Sequence, residues 1–386
     1  MEPGVVHLKR GKERKVRNFY PWIQKGECRA EGVPDGSLAK LVDADGTFLA
    51  IGTYNSKSRF QFRILSLIEE TVDEQFFEAR FAACRRLRET LLQGTTGWRL
   101  VHSEADQVPG LIVDQYGEDL VVQVRSLGME LLKPLWLPAL IQATNAQSVY
   151  EKSEMAGRQE EGLPSSSGSL FGTAPTALTT TEDGLNISIP IELGLKTGYY
   201  FDQRETRRQF ESRIRPGDKV LDCFCYTGSF TLRAARAGAL AYGIDIHKPA
   251  IESARDAAAS NNLEAVFIED NAFEYMATDS IGPYDWIILD PPAIAKTADK
   301  RDSLKWAVWK LVHLALPLLK PGGRLIVCSC SYQLDLRELV ETCRLAASDR
   351  HTRLFLENVT FQDVDHPAPI HFPESLYLKC AWLRKG

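Results

Sequence analysis

The sequence predicts an α/β chain in which a parallel sheet, covered by helices on both faces, follows two smaller modules. Three observations carry this. From about residue 192, strand-like and helix-like segments alternate at the spacing of βα units. An acidic residue closes each of four successive strand-like runs: Asp222, Asp245, Asp270 and Asp290, at intervals of 23, 25 and 20 residues. Before residue 70, short β-like runs are instead broken by turn residues.

Composition sets outer limits. The chain has 386 residues, 44% hydrophobic and 25% charged, which excludes wholesale disorder and fibres. No run approaches the roughly 18 apolar residues of a membrane span. The N-terminus lacks the apolar core of an export signal. Eight cysteines are too few for a disulfide scaffold in a chain of this length, so they read as reduced thiols of a cytoplasmic protein. The formal net charge of −5 does not mark a nucleic-acid binder. Locally, however, Lys9, Arg10, Lys12, Arg14, Lys15 and Arg17 crowd around one acid, Glu13. Arg204, Arg207, Arg208, Arg213, Arg215 and Lys219 form a second cluster, diluted by acids. Each reads most simply as a solvated face. Together they leave room for a polyanion groove whose affinity would depend on salt.

The elements follow in order. Residues 1–70 hold strands at 37–43, 47–54 and 59–67, separated by Asp45-Gly46 and Asn55-Ser56, as in a small β-barrel. Val72, Phe76, Phe77, Phe81, Leu87 and Leu91 recur at helical spacing, and Gly94 and Gly97 close that helix. Residues 71–191 then read as an α+β domain, with strands at 98–102, 111–115, 120–124, 148–151 and 185–190 and a helix at about 130–143. Its Gly/Ser-rich stretch 162–169 reads as a flexible loop. Residues 192–386 carry strands at 219–224, 241–244, 265–268, 286–289 and 324–328. Helices near 230–237, 248–260, 271–277, 303–316 and 334–346 alternate with them, and strand-like runs at 353–359 and 376–384 follow.

In such sheets ligands sit beyond the carboxyl ends of the strands. The first turn, Asp222-Cys223-Phe224-Cys225-Tyr226-Thr227-Gly228, lacks G-x-G-x-x-G and begins with an acid. A pyrophosphate would want bare backbone N–H groups there, whereas a carboxylate suits a cation. S-adenosylmethionine has a sulfonium and an ammonium and no phosphate. Gly228 offers close backbone approach. Asp245 is placed to accept from both ribose hydroxyls, and Asp270, with Asn271 and Ala272, from an adenine amino group. Taken singly, each acid reads as a cap or loop residue.

These segments resemble class I S-adenosylmethionine-dependent methyltransferases. More narrowly, the chain resembles the bacterial ribosomal RNA cytosine-5 methyltransferases with an N-terminal PUA domain. The resemblance runs through Lys196–Arg204, Asp222–Phe230, Asp290-Pro291-Pro292, Ser329-Cys330-Ser331, Asp365-His366-Pro367 and Pro373–Lys379, and more loosely through Pro21-Trp22, Leu49–Tyr54 and Arg99–Val113. It implies a PUA β-barrel (1–70), an α+β middle domain (71–191) and a Rossmann-like catalytic domain (192–386). It gives the cofactor pocket to Asp222, Phe224, Tyr226, Thr227, Gly228, Asp245, Asp270, Asn271, Ala272 and Asp290, together with Tyr200, Asp202 and Arg204. The implied partner is RNA, and ribosomal RNA by resemblance alone. The oligomeric state stays open, a homodimer included, and no membrane or metal partner is expected.

Carbon 5 of a pyrimidine is a poor nucleophile, and a thiolate adding at carbon 6 makes it enamine-like. The resemblance makes Cys330 that thiolate. The plainer alternative is a small buried hydrophobe, which is how Cys328 reads. Asp290, aimed by two prolines, is placed to hydrogen-bond the cytosine ring. Ala293 follows the motif where many cytosine-5 enzymes have a second Cys and amino-group methyltransferases an aromatic residue. Lys196, Lys296 and Arg204 read as phosphate or carboxylate contacts. Asp365, His366, His371 and Glu374 read as solvated loop residues that border the site. Phe60, Phe62 and Arg63 are placed near RNA-facing loops, with a core role as the plainer alternative. A Cys₄ zinc site from Cys223, Cys225, Cys328 and Cys330 is disfavoured by its C-x-C spacing. Rival functions are methylation of uracil carbon 5 or of guanine, and an inactive RNA-binding assembly factor.

Overall fold

The computed structural model describes residues 3–193, 197–292 and 301–386. The chain forms two compact units. One holds residues 3–184, 197–199 and 365–375; the other holds 185–193, 200–292, 301–364 and 376–386.

The first unit contains two sheets. In the six-stranded sheet the order is Trp22–Gln24, Phe60–Ser66, Phe48–Tyr54, Leu38–Val42, Gly4–Leu8 and Cys28–Ala30. Val6, Leu8, Leu41, Ala50 and Phe62 fill its core. Phe62 is thus fully buried, and Arg63 is held by Glu104 at 3.1 Å and Glu161 at 2.8 Å. Neither lies in an exposed loop. The five-stranded sheet runs Ser166–Phe171, Ser148–Ser153, Asp119–Val124, Leu111–Tyr116 and Gly97–His102. Helices Glu74–Leu91 and Lys133–Thr144 share its core through Phe77, Phe81, Trp136 and Leu140.

Two expectations change in this unit. The Gly/Ser-rich stretch is no loose loop beyond residue 165, because Ser166–Phe171 pairs antiparallel with Ser148–Ser153. A ladder is built from main-chain groups, so an edge strand needs no apolar side chains. The helix expected over 130–143 is two helices, Leu127–Leu131 and Lys133–Thr144, divided at Leu132 with Pro134 in the second helix's first turn. Proline is favourable there, where its missing N–H costs nothing.

The second unit carries the seven-stranded sheet. Its strands are β1 (Lys219–Cys223), β2 (Leu240–Asp245), β3 (Val266–Glu269), β4 (Tyr284–Leu289), β5 (Leu319–Ser329), β6 (Leu354–Phe361) and β7 (Lys379–Lys385). Its helices are α1 (Arg204–Glu211), α2 (Ser229–Arg236), α3 (Lys248–Ser260), α4 (Ala272–Thr278), α5 (Arg301–Leu318) and α6 (Leu336–Asp349). The strand order is β3-β2-β1-β4-β5-β7-β6. The first five pair in parallel, and β7 lies antiparallel between β5 and β6.

Both faces of this sheet are covered, and the sequence alternates accordingly. Leu221, Cys223, Ile287, Leu289, Leu325 and Val327 join the core under α4, α5 and α6. Val220, Trp286, Ile288, Ile326 and Cys328 join the opposite core, under α1 and α2. Continuous apolar strands are what a sheet buried on two sides requires.

Helix α1 revises the second basic cluster. Arg204 and Arg207 are buried, and the Arg204 guanidinium meets Asp363 at 2.7 Å. Arg207 donates to the carbonyl of Tyr200 at 2.9 Å. These two charges face inward, whereas Arg213 and Arg215 of the same cluster are exposed, so the cluster does not act as one basic face. Arg204 ties α1 to the chain after β6. Breaking a buried pair leaves an uncompensated charge, worth about 3–5 kcal/mol. Arg204→Met is therefore expected to lower the stability of this unit by that amount, read from the denaturant midpoint. A loss below about 1 kcal/mol would mean the pair behaves as an exposed one.

Candidate active site

Parallel pairing delivers the carboxyl ends of β1, β2 and β4 to one rim, and with them Asp222, Asp245 and Asp290. Asp222 is 1% exposed. One carboxylate oxygen accepts from the Thr231 backbone N–H at 3.1 Å and hydroxyl at 2.7 Å. It therefore anchors the first turn of α2. Burial pushes its pKa up to about 7 against the Thr231 hydrogen bonds, with the charges of Asp290 and Asp245 adding to the rise.

The turn after β1 is unusual backbone. Phe224, Tyr226 and Gly228 have φ of 64, 50 and 80°. Left-handed bulky residues are uncommon and persist where surroundings over-determine them. Here the Tyr226 N–H donates to Asp245 at 2.9 Å, and the Cys225 N–H to the Ile244 carbonyl at 2.9 Å. Gly228 is needed for more than its φ, because a Cβ there would lie 2.6 Å from the Phe267 ring. The close approach expected at Gly228 is therefore made to β3. Thr227 is 2% exposed, and its hydroxyl has no hydrogen-bond partner.

The later strand ends divide their work. Asp245 accepts from the Tyr226 and His247 N–H groups, each at 2.9 Å. Asp270 accepts from the Asn271 N–H at 2.7 Å. Asn271 caps α4, its side chain accepting from the Phe273 N–H at 2.9 Å, and Ala272 is a core residue. What Ala272 can still offer a ligand is main chain, and Asn271 keeps its side-chain NH₂ besides.

Around Asp290 the structure adds residues to which the sequence gave no role. Gln203, 3% exposed, donates to Asp290 at 2.9 Å and accepts from the Cys380 thiol at 3.4 Å. The Tyr377 hydroxyl donates to Asp202 at 2.6 Å. Tyr200 packs edge-on against Tyr226 at 5.3 Å. Burial raises the Tyr200 phenol, with Tyr226, Asp202, Asp290 and Cys330 contributing in that order. One phenol thus registers the turn after β1, the end of β4 and the end of β5. Only the placement of Gln203 and Tyr377 within motif segments could have signalled them.

Of the eight cysteines, seven are buried and Cys330 is half-buried. Cys330 follows the last residue of β5 and packs at the edge of the core that holds Cys328 and Cys380. Burial drives the thiols of Cys223, Cys225 and Cys328 well above their ordinary value. Lys196, Ala293 and Lys296 lie outside the described residues. In the first unit, Asp365 and His366 are buried rather than solvated. Asp365 accepts from the Arg99 N–H at 3.0 Å and meets His366 Nδ1 at 2.7 Å.

An acid-lined rim on a 3-2-1-4-5-7-6 sheet, behind a six-stranded β module, defines a class: a PUA-like domain joined to a methyltransferase domain. Family models of those two descriptions match residues 6–67 and 214–367. The chain belongs to the ribosomal RNA large subunit methyltransferase I family. A relative of that name from Vibrio parahaemolyticus is 34% identical over 390 residues, covering 97% of this chain and 98% of its own. One from Shewanella amazonensis is 35% identical, covering 97% of each. Among solved structures, a candidate methyltransferase complexed with SAH superposes with a TM-score of 0.85 at 20% identity, over 98% of this chain and 99% of the other. A candidate SAM-dependent methyltransferase from Streptococcus mutans gives 0.83 at 20% identity, over the same shares. At that identity the likeness is one of fold. Among the described residues no helix is long and apolar enough to cross a membrane.

Asp222 carries a pH signature. An unfolded Asp ionises near 3.8, whereas the folded one holds its proton up to about 7. Its contribution to stability is complete below the lower value and is lost as pH rises through the upper one. Wild type should therefore lose melting temperature between pH 5 and pH 8 more steeply than Asp222→Asn. Parallel profiles for the two proteins would show that Asp222 ionises normally in the fold.

Proposed function

We propose that this protein is an S-adenosylmethionine-dependent methyltransferase that forms 5-methylcytosine in large-subunit ribosomal RNA through a covalent bond from Cys330 to carbon 6 of the base. The observation that carries the reading is Cys330 itself. It is the one cysteine of eight that is not buried, and it lies beside the rim that holds Asp290.

The rim suits the cofactor. Asp222, Asp245 and Asp290 gather carboxylates on one rim, burial penalises the charge of Asp222, and the Thr227 hydroxyl waits unbonded. A cationic ligand with further polar groups relieves both. Asp222 and Thr227 would hold the amino acid end, Asp245 the ribose, and Asp270 with the main chain of Asn271 and Ala272 the adenine. Phe224, Tyr226, Tyr200 and Asp202 would complete the walls. Bound there, S-adenosylmethionine supplies a methyl group on a sulfonium that leaves as a neutral thioether.

The chain's own residues do the rest. The Cys330 sulfur bonds to carbon 6, and the electrons of the carbon 5–carbon 6 double bond shift toward the ring nitrogen and carbonyl. Asp290, oriented by Gln203, hydrogen-bonds that edge of the base. After methyl transfer a base removes the carbon 5 proton, the double bond re-forms, and the thiolate is expelled with its electron pair. The target must leave its stack to reach the rim.

Support for RNA comes from the first unit. Lys9, Arg14 and Arg17 are exposed there. Beside them is a cavity of about 580 Å³ lined by Lys15, Arg17, Phe19, Tyr20, Ile370 and His371. Phe19 is 60% exposed at φ 63°, with its ring 5.3 Å from that of His371. An exposed aromatic held in strained backbone beside cations is a platform for an unpaired base. The division at 1–70, 71–191 and 192–386 belongs to this proposal as a working map, as does the cytoplasm as the place where the RNA is met.

RNA carrying 5-fluorocytosine has no carbon 5 proton to lose, so the adduct should accumulate on the Cys330 peptide and be visible by mass spectrometry. Trapping on 5-fluorouracil RNA alone would move the target to uracil. Full methylation by Cys330→Ala would rule out the thiolate route; the expected result is none, with cofactor affinity within a few-fold of wild type. Phe19→Ala should weaken single-stranded RNA binding by about 1–3 kcal/mol with the salt slope unchanged. Arg17→Ala should reduce that slope by about one. Fluorescence titration at several salt concentrations separates the two effects.

A further inference from the structure

Lys379 opens β7, opposite Ser329 in the β5–β7 register, and is 6% exposed. Its ammonium donates to the Ser331 carbonyl and, at 3.0 Å, to the Tyr377 carbonyl. An ammonium has three N–H donors and no acceptor, so one donor is left. No carboxylate of the described residues comes within 4.0 Å of it.

Three other buried cations of the chain each have a carboxylate partner. Arg204 has Asp363 at 2.7 Å, Arg88 has Asp106 at 2.6 Å, and Arg233 has Glu211 at 2.7 Å. A buried charge without an ionic partner is unfavourable, and proteins keep such groups chiefly where a counter-charge arrives or develops. Burial presses the Lys379 amine toward neutrality. Among the groups that oppose this, Cys330 stands first, ahead of Asp335 and Cys380. Asp335 is engaged as the cap of α6, accepting from the Glu338 N–H at 2.8 Å. Cys380 is fully buried, with its thiol on Gln203. The carbonyls that clamp the ammonium include that of the residue next to Cys330.

We infer that Lys379 is the fixed counter-charge of the Cys330 thiolate, a positioning residue that raises the ionised fraction of the sulfur at neutral pH before RNA arrives. The thiol loses its proton to solvent, Lys379 keeps its own, and the neutral pair thiol-plus-amine is avoided. The catalytic meaning of this pairing rests on the thiolate mechanism proposed above, whereas the pairing itself can be tested without RNA.

The test is the rate of iodoacetamide alkylation at Cys330, followed on its peptide by mass spectrometry in the full-length protein from pH 6 to pH 10. In wild type the midpoint should fall below the roughly 8.5 of a free thiol. Lys379→Met should raise it by at least about one unit, slowing alkylation at pH 7 about tenfold, and Lys379→Arg should restore the rate to within about threefold. Unchanged midpoints in a Lys379→Met protein that keeps its melting temperature would overturn the inference, as would an arginine variant no better than methionine. If the methionine variant fails to fold, the thiolate absorbance difference between wild type and Cys330→Ser decides. A midpoint at or above about 8.5 overturns the pairing and a lower one supports it. Fluorocytosine trapping succeeds or fails independently of these outcomes, so the two ideas can fall separately.

Discussion

Negative charge collected on one rim of a parallel sheet is the constraint around which the second unit is arranged. Parallel pairing leaves no choice of side, because every strand that ends in an acid ends it on the same edge. Asp222 bears the consequence most, being the least exposed of the acids and subject to the other two. The fold meets the cost with donors: Thr231 for Asp222, Tyr226 and His247 for Asp245, Gln203 for Asp290. Those same donors set the shape of the turn after β1. The left-handed Tyr226 goes with its N–H donation to Asp245, and Phe267 leaves no room for a Cβ at Gly228 in the same turn.

The sheet was legible because both its faces are buried. Apolar runs such as Tyr284–Leu289 and the acids that end them are local signals with a fixed spacing, and each β-strand from β1 to β5 falls on an expected run. The Cys330 position was legible for the same reason. What escaped was anything whose meaning depends on a distant partner. The run from Arg204 to Lys219 looks like one basic patch in one dimension, and only the chain after β6, bringing Asp363, shows that Arg204 points inward while Arg213 and Arg215 stay exposed. Asp365 and His366 sit among prolines and look solvated, yet Arg99 and each other bury them. Short strands such as Gly4–Leu8 and Trp22–Gln24 carry too few residues to show a period. The edge strand Ser166–Phe171 is composed of loop-forming residues and is a strand only because Ser148–Ser153 offers it a ladder.

The candidate site divides along the same line. Residues that act through position in the chain, at the ends of strands, were visible. Residues that link one segment to another, Gln203, Tyr377 and Lys379, were not assigned, since nothing local distinguishes a lysine clamped by main-chain carbonyls from one in water. Several assigned residues proved to have structural duties as well. Asn271 caps α4, Ala272 fills core, and Asp245 holds the neighbouring turn. Substituting Asp245 would disturb the Tyr226 turn along with any ribose contact.

The placement of β7 has a consequence for how the unit is made. This strand comes after β6 in the chain yet lies inside the sheet, between β5 and β6. Until residues 379–385 leave the ribosome, β5 has an open edge at Ser329, and β6 has nothing to pair with. The surroundings of Cys330 are therefore completed only after β6 has been made. A chain that stalls before β7 is made would carry the acid rim and the sulfur but would present an unpaired strand edge, an invitation to chaperones or to aggregation.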